Sequence, residues 1–471
     1  LFLCSIVNAP GHLVDGAPHH LRARFLSAKK SPGYAWHYVD HHMAHAASAF
    51  FASPFQKAAI LTLDGRGEKS TTGYYFGEGL CMDKIADVQM PHSFGLLYEA
   101  VTTYLGFLHS SDEYKVMALA SYGNPAFIDY FDKLISVHPD GTYTIGDPRL
   151  EETFGPPRER GGPIEKRHLD IASSLQKALE QKVLQLARWL HNKIPVDDLC
   201  IAGGVGLNCV LNARLRDHGP FKRIWVQPAA GDSGTALGAA LWVDIQSRHQ
   251  GPGLATQPHD YRMDHAYLGP SYSDEEIYDF LCYAKQDFAE LASVEEDVAD
   301  LLTQDKVVGW FQGRMEFGPR ALGARSIIAS PLNASMQARL NEIKDREDFR
   351  PVAPVVLEEE ANHWFLNAGV SPFMLFVHDV QSSKAGLIPA VRHVDGTARI
   401  QTIRQDQNPK YYGVIKEFQK RTGVPVLVNT SFNTRGKPIV CTPRDAVECF
   451  HSSPIDALVI GSFLLHKREK A

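Results

Sequence analysis

The residues in this chain best suited to chemistry begin at His41-His42-Met43-Ala44-His45. His41 and His45 stand one helical turn apart, so on a helix their imidazoles leave the same face and can hold one cation. Imidazole suits zinc, iron or nickel, and a carboxylate would complete the set. Two aspartates stand where such a ligand is needed, each next to glycine and just past an apolar strand: Asp64, before Gly65, and Asp232, after Gly231. A lone HxxxH is more often a helix start with surface imidazoles. The two strand-end aspartates shift the balance to a metal centre formed by His41, His45, Asp64 and Asp232.

A second group is rich in glycine and hydroxyls. Gly65 and Gly67, in Asp64-Gly65-Arg66-Gly67-Glu68, precede Ser70, Thr71 and Thr72; Gly203, Gly204 and Asn208 lie between a strand and a predicted helix. Asp232-Ser233-Gly234 repeats the theme. Missing side chains allow a nucleotide to approach backbone N–H groups. Three such loops in one α/β region predict a nucleotide cleft, although each by itself is only a tight turn.

The third group is basic. From Arg314 to Arg350 the chain carries six arginines and Lys344 against five carboxylates. Arg399 and Arg404 follow. The arginines of Gly313–Gly323 are mixed with glycine, proline and apolar residues, which suits a partly buried loop better than a solvated helix. Guanidinium forks bind phosphate in bidentate fashion, so Arg314, Arg320, Arg325, Lys344 and Arg350 predict a phosphate pocket. Asn429-Thr430-Ser431-Phe432-Asn433 follows an apolar strand; it could read a small planar ligand, and a polar turn is an equal reading.

The elements that must position these groups are legible from periodicity. A helix is expected over 42–51, strands over 58–63 and 71–76 as a hairpin, and a helix whose apolar stripe falls at 175, 179, 183, 186 and 190. Strands are expected over 199–202, 223–226, 307–312, 399–403, 425–429 and 457–461. The Gly, Pro and His-rich stretch 246–270 reads as a domain boundary, giving units 1–266 and 267–471. The fold class is α/β.

Bulk properties exclude other classes. The net charge is −6, which disfavours a nucleic-acid or membrane surface. No apolar run approaches the ~20 residues of a membrane span. The seven cysteines are scattered and never spaced CxxC, consistent with reduced thiols and a cytoplasmic location.

These motifs together resemble a known family. His41–Phe50, Asp64–Glu68, Gly203–Asn208 and Ala230–Gly238 resemble the first domain of the NodU/CmcH/TobZ-type O-carbamoyltransferases. Gly313–Ser326, Asp348–Pro354 and Asn429–Asn433 look like their second domain. The resemblance covers the chain from about Trp36 onward. It implies an actin/hexokinase-like (TsaD-like) domain followed by an α+β YrdC-like domain. It also implies two steps: carbamoyladenylate forms from ATP and carbamoyl phosphate, and the carbamoyl group then passes to a hydroxyl of a natural product of the antibiotic type.

On the same resemblance, His41, His45 and Asp232 are ligands of a metal, iron(II) first and zinc, manganese or magnesium as alternatives, with Asp64 beside it. Lys344 and Arg350 belong to the carbamoyl phosphate and ATP pocket. Arg320, Arg399, Arg404 and Ser431 are further candidates, and a homodimer is compatible. One departure concerns the amino-terminal segment, where the family's His-Asp strand motif is not found; Gly11-His12 is followed by Leu13-Val14.

Two rivals use the same domain types, in tRNA threonylcarbamoylation and hydrogenase maturation. The charge and the absence of CxxC pairs disfavour them. A non-catalytic actin-like nucleotide-binding module leaves the arginines unexplained.

Overall fold

In the computed structural model, residues 37–248 and 253–467 are described. The departure at Gly11–Val14 lies outside them. Two mixed sheets organise the chain. The first has the order β3-β2-β1-β6-β7. Strands β1 (Lys57–Leu63), β2 (Ser70–Glu78) and β3 (Cys81–Gln89) form an antiparallel meander. β6 (Asp198–Ala202) runs parallel to β1, and β7 (Arg223–Val226) parallel to β6. A hairpin of β4 (Ile135–Val137) and β5 (Tyr143–Ile145) stands apart from it.

β1 is buried at six of its seven positions, because both faces of the sheet are covered. One face carries α1 (His41–Phe50), whose alanines and Phe50 pack with Ala58, Ile60 and Cys200. The other carries a 28-residue helix, Lys166–Lys193, whose expected stripe, Leu175, Leu179, Val183, Leu186 and Leu190, is wholly buried. α2 (Phe94–Tyr104) and α3 (Glu113–Ala120) pack on this second face. Among the described residues no helix is long and apolar enough to cross a membrane, and the six described cysteines are unpaired.

The second sheet has eight strands in the order β14-β11-β15-β10-β9-β16-β17-β8. Its central members are β9 (Val308–Phe311), β10 (Arg325–Ala329), β11 (Ala353–Leu357) and β15 (Val426–Ser431). β8 (Ala289–Glu290), β16 (Ala457–Ile460) and β17 (Phe463–His466) extend one side. The molecule is therefore mixed α/β.

One expectation needs correction. The stretch 399–403 is not one strand. β13 (Thr397–Arg399) pairs with β12 (Val377–Asp379), whereas β14 (Gln401–Ile403) pairs with β11. The chain changes partner at buried Ile400, and an apolar run cannot reveal such a switch. In the stretch 246–270, expected as a domain boundary, the described residues pack on the first half of the chain. The helix Ser233–Arg248 enters it, and His259, Met263 and Ala266 are buried against the first sheet's elements. From the other side, Leu322, Ala353 and Phe373–Leu375 join the first core, so the two halves of the chain pack directly together.

Candidate active site

α1 delivers both histidines because nothing in His41–Phe50 breaks a helix and its small residues let it lie close to β1. Its first turn has no capping side chain of its own. Instead the His41 amide donates to both carboxylate oxygens of Glu68, each at 3.2 Å. That carboxylate, in the expected glycine loop, favours the positive end of the helix.

His41 Nε2 lies 2.6 Å from Asp64 Oδ2 and 3.1 Å from His45 Nε2. His45 Nε2 is 3.2 Å from the same Asp64 oxygen. Asp232 Oδ1 completes the group, at 3.7 Å from His41 Nε2 and 3.8 Å from His45 Nε2. His45 is wholly buried, whereas the Asp232 side chain is 81% exposed and closes the cluster from the solvent side.

Four donor atoms within 4.8 Å of one another fit one divalent ion. Ligand bonds of 2.0–2.2 Å in a tetrahedron place donors about 3.3–3.6 Å apart, inside the observed spread. The buried His45 Nδ1 has no hydrogen-bond partner among the described residues, so no second residue fixes that ring's tautomer. The hydrogen bond that His41 donates to Asp64 raises its imidazole above the ordinary value, outweighing burial. Burial opposes charge on Asp64, yet bonds from His41, His45 and the Gly204 amide hold it well below the usual carboxylate range. It is anionic under ordinary conditions, as a metal ligand would have to be.

His42, between the two, turns the other way. Its ring bonds Thr62 Oγ1 at 2.8 Å and the Ser70 carbonyl at 2.9 Å. Burial lowers it to about 4, so it is a neutral structural residue.

The expected glycine loops divide by role. Gly65, Gly204 and Asn208 line the cleft beside Asp64 and Asp232, and the Gly204 amide donates to Asp64 Oδ1 at 3.0 Å. Gly95, not singled out from sequence, also lines it; a β-carbon there would stand 2.7 Å from the Gly65 backbone. Gly67 and Gly203 lie behind. Gly67 gives room to the His41 and His42 side chains, and Gly203, at φ +93°, faces the Leu63 carbonyl, 2.1 Å from where a β-carbon would be.

The basic residues separate more sharply. Arg314 donates to the carbonyls of Leu268 and Gly269, and Arg325 to those of Gln312, Gly313, Ala324 and Pro270 while stacking on Phe311. Both clamp backbone, and neither lines the metal-side cleft or the arginine-lined cavity. Arg320, Arg346, Arg350 and Arg399 instead line one cavity of ≈ 120 Å³. Burial and then the nearby Arg399 pull Arg320 down to about 9; burial, Arg350 and Arg399 do the same to Arg346. Arg320 Nε and Arg346 Nη2 are buried without partners. Cations crowded in this way, with Glu347 as the carboxylate paired to Arg350 at 3.6 Å, fit a bound polyanion.

Lys344, Asn429 and Arg404 lie outside the walls of these cavities. The Lys344 ammonium is buried under the Asn429–Asn433 turn, donating to the Ser431 and Asn433 carbonyls at 2.5 and 2.9 Å and to Asn433 Oδ1 at 2.6 Å. It fixes the turn whose Ser431 reaches the cleft. Asn429 is buried and donates to Ala321 and Gln401, so the strand uses its amide for packing. Arg404 pairs with exposed Asp406 at 3.0 Å. Arg346 was not selected from sequence, because arginine spacing alone does not tell which guanidinium meets a void.

A cluster that could hold a metal ion thus lies beside an arginine-lined cavity. The sequence matches the family model "Carbamoyltransferase N-terminus" over residues 18–241 and "Carbamoyltransferase C-terminus" over 299–467. The chain belongs to the carbamoyltransferase family and is a carbamoyltransferase. Its relatives include nodulation protein NolO of Bradyrhizobium diazoefficiens, 39% identical over 91% of this chain and 79% of that protein. An uncharacterized protein of Synechocystis, sll1178, is 44% identical over 91% of this chain and 76% of its own length. Among solved structures, full-length HypF in a phosphate- and nucleotide-bound form overlaps 39% of this chain and 22% of its own, at 20% identity and a TM-score of 0.26, too partial to define fold or function.

Proposed function

We propose that the protein is an ATP-dependent O-carbamoyltransferase with two compartments. In this reading, residues 1–266 form a TsaD-like transfer domain and 267–471 a YrdC-like activating domain. The acceptor is a hydroxylated small-molecule natural product.

The carrying observation is that the two cavities have walls in common. The metal-side cleft runs from Asp64 and Asp232 to Ser431, and it shares Tyr114, Met117, Arg320 and Arg350 with the arginine-lined cavity. In the proposed activation, one water releases phosphate from carbamoyl phosphate, and a carbamate oxygen attacks the α-phosphorus of ATP as pyrophosphate leaves. Arg320, Arg346, Arg350 and Arg399 hold the phosphate oxygens and stabilise the charge on the departing groups. The glycine loops at Gly65 and Gly204 let the adenylate approach, because no side chain intervenes.

In transfer, the acceptor hydroxyl bonds to the carbamoyl carbon and AMP leaves. His41, His45, Asp64 and Asp232 would hold the divalent ion, for which iron(II) is our first choice, and it would supply Lewis-acid polarisation of a bound oxygen. Asp64 stays anionic and Asp232 stands at the open side. An enclosed route between the compartments would keep the labile adenylate from water. ATP–pyrophosphate exchange that depends on added carbamoyl phosphate tests this reading; exchange without that dependence would refute it.

A further inference from the structure

α3 (Glu113–Ala120) belongs to the first half of the chain, yet it is fastened to the second. Lys115 Nζ meets Glu347 Oε1 at 2.8 Å, and the Tyr122 hydroxyl donates to the Phe349 carbonyl at 3.2 Å. Ser121 Oγ donates to Asp395 Oδ2 at 3.1 Å. These bonds, one from the helix and two from the residues just after it, hold it beside both the metal-side cleft and the arginine cavity. Its half-buried Tyr114 lines both. The Arg350 guanidinium carbon lies 4.6 Å from the centre of the Tyr114 ring, and Arg350 too lines both. The stacked pair therefore stands where the two spaces adjoin.

We propose that Tyr114, through its stack with Arg350, walls the passage between the two compartments against solvent and keeps water from the activated carbamoyl group. The proposal rests on the two-compartment reading above. Tyr114 acts as a positioning residue: the ring face holds a guanidinium that would otherwise swing toward phosphate on one side or solvent on the other. The reaction it suppresses is hydrolysis. A water oxygen bonds to the carbamoyl carbon, the bond to the adenylate oxygen breaks, AMP leaves with the electron pair, and protons pass to solvent. Carbamate is the other product.

The test needs no acceptor. ATP and carbamoyl phosphate are supplied to the full chain, and AMP formation is divided by the rate of carbamoyl phosphate-dependent pyrophosphate exchange. In Tyr114→Ala the ratio should rise about tenfold, since an opened passage admits water. Tyr114→Phe, which keeps the ring face, should restore the wild-type ratio, and Tyr114→Trp should not raise it. A loss of packing alone would lower both rates together and leave the ratio fixed. An unchanged ratio in Tyr114→Ala, or an equal rise in Tyr114→Phe, overturns the proposal. Absence of carbamoyl phosphate-dependent exchange in the wild-type protein would instead remove the two-compartment reading beneath it.

Discussion

Gly238 faces the carbonyl oxygen of Ala44 so closely that a β-carbon would stand 1.7 Å from it. The helix Ser233–Arg248 can therefore lie backbone to backbone on α1. That contact sets Asp232, one residue before the helix, against His41 and His45, from an element far away in sequence. Gly238→Ala should force the two helices apart. Overpacking against backbone costs about 1–3 kcal/mol. We expect a lower Tm and weaker metal binding together, read by thermal melts with and without a divalent ion; a variant with wild-type values of both would contradict this role.

The proposed division of labour predicts separable defects. His45→Ala should abolish carbamoyl transfer and leave carbamoyl phosphate-dependent pyrophosphate exchange near its wild-type rate. Arg350→Ala should lose exchange by about 10²–10³-fold, the effect of removing one preorganised charge-stabilising group. Parallel loss of one half-reaction in both variants would show that the two sites do not act separately.

Acid should weaken the packing between the two halves at His378. Its ring accepts from Arg216 Nη1, 2.9 Å from Nε2, and burial, reinforced by that cation, lowers it to about 4. The unfolded imidazole, near 6.5, binds a proton first as pH falls. The stabilisation is thus complete above about pH 6.5 and is lost between there and about pH 4, to a ceiling of about 3 kcal/mol. His378→Gln cannot titrate, so its Tm should fall less steeply over that range than the wild type's. Equal slopes would contradict the assignment.

The convergence of His41, His45, Asp64 and Asp232 was largely legible in the sequence because its parts obey local rules. The helical period fixes His41 over His45, and glycine beside an aspartate at a strand end marks Asp64 and Asp232. The basic cavity was harder to read. Arg314 and Arg320 sit in the same glycine and proline-rich loop, yet one clamps carbonyls and the other faces the void. The difference depends on where the loop runs after Glu316, whose Oε1 accepts the amides of Leu322, Ala324 and Arg325. Lys344 looks like a phosphate ligand by composition, but the Ser431–Asn433 turn folds over it. Tyr114 gave no signal at all, since an aromatic residue on a short helix reads as ordinary packing until the opposite half of the chain is set against it.

The central claim is that His41, His45, Asp64 and Asp232 hold one cation. Metal content of anaerobically purified protein, wild type beside His41→Ala/His45→Ala, tests it most directly. We predict about one divalent ion per chain in the wild type and loss of that ion in the double variant, as removing two of four ligands requires. A wild type free of metal after reconstitution, or a double variant that retains the ion, would contradict the account.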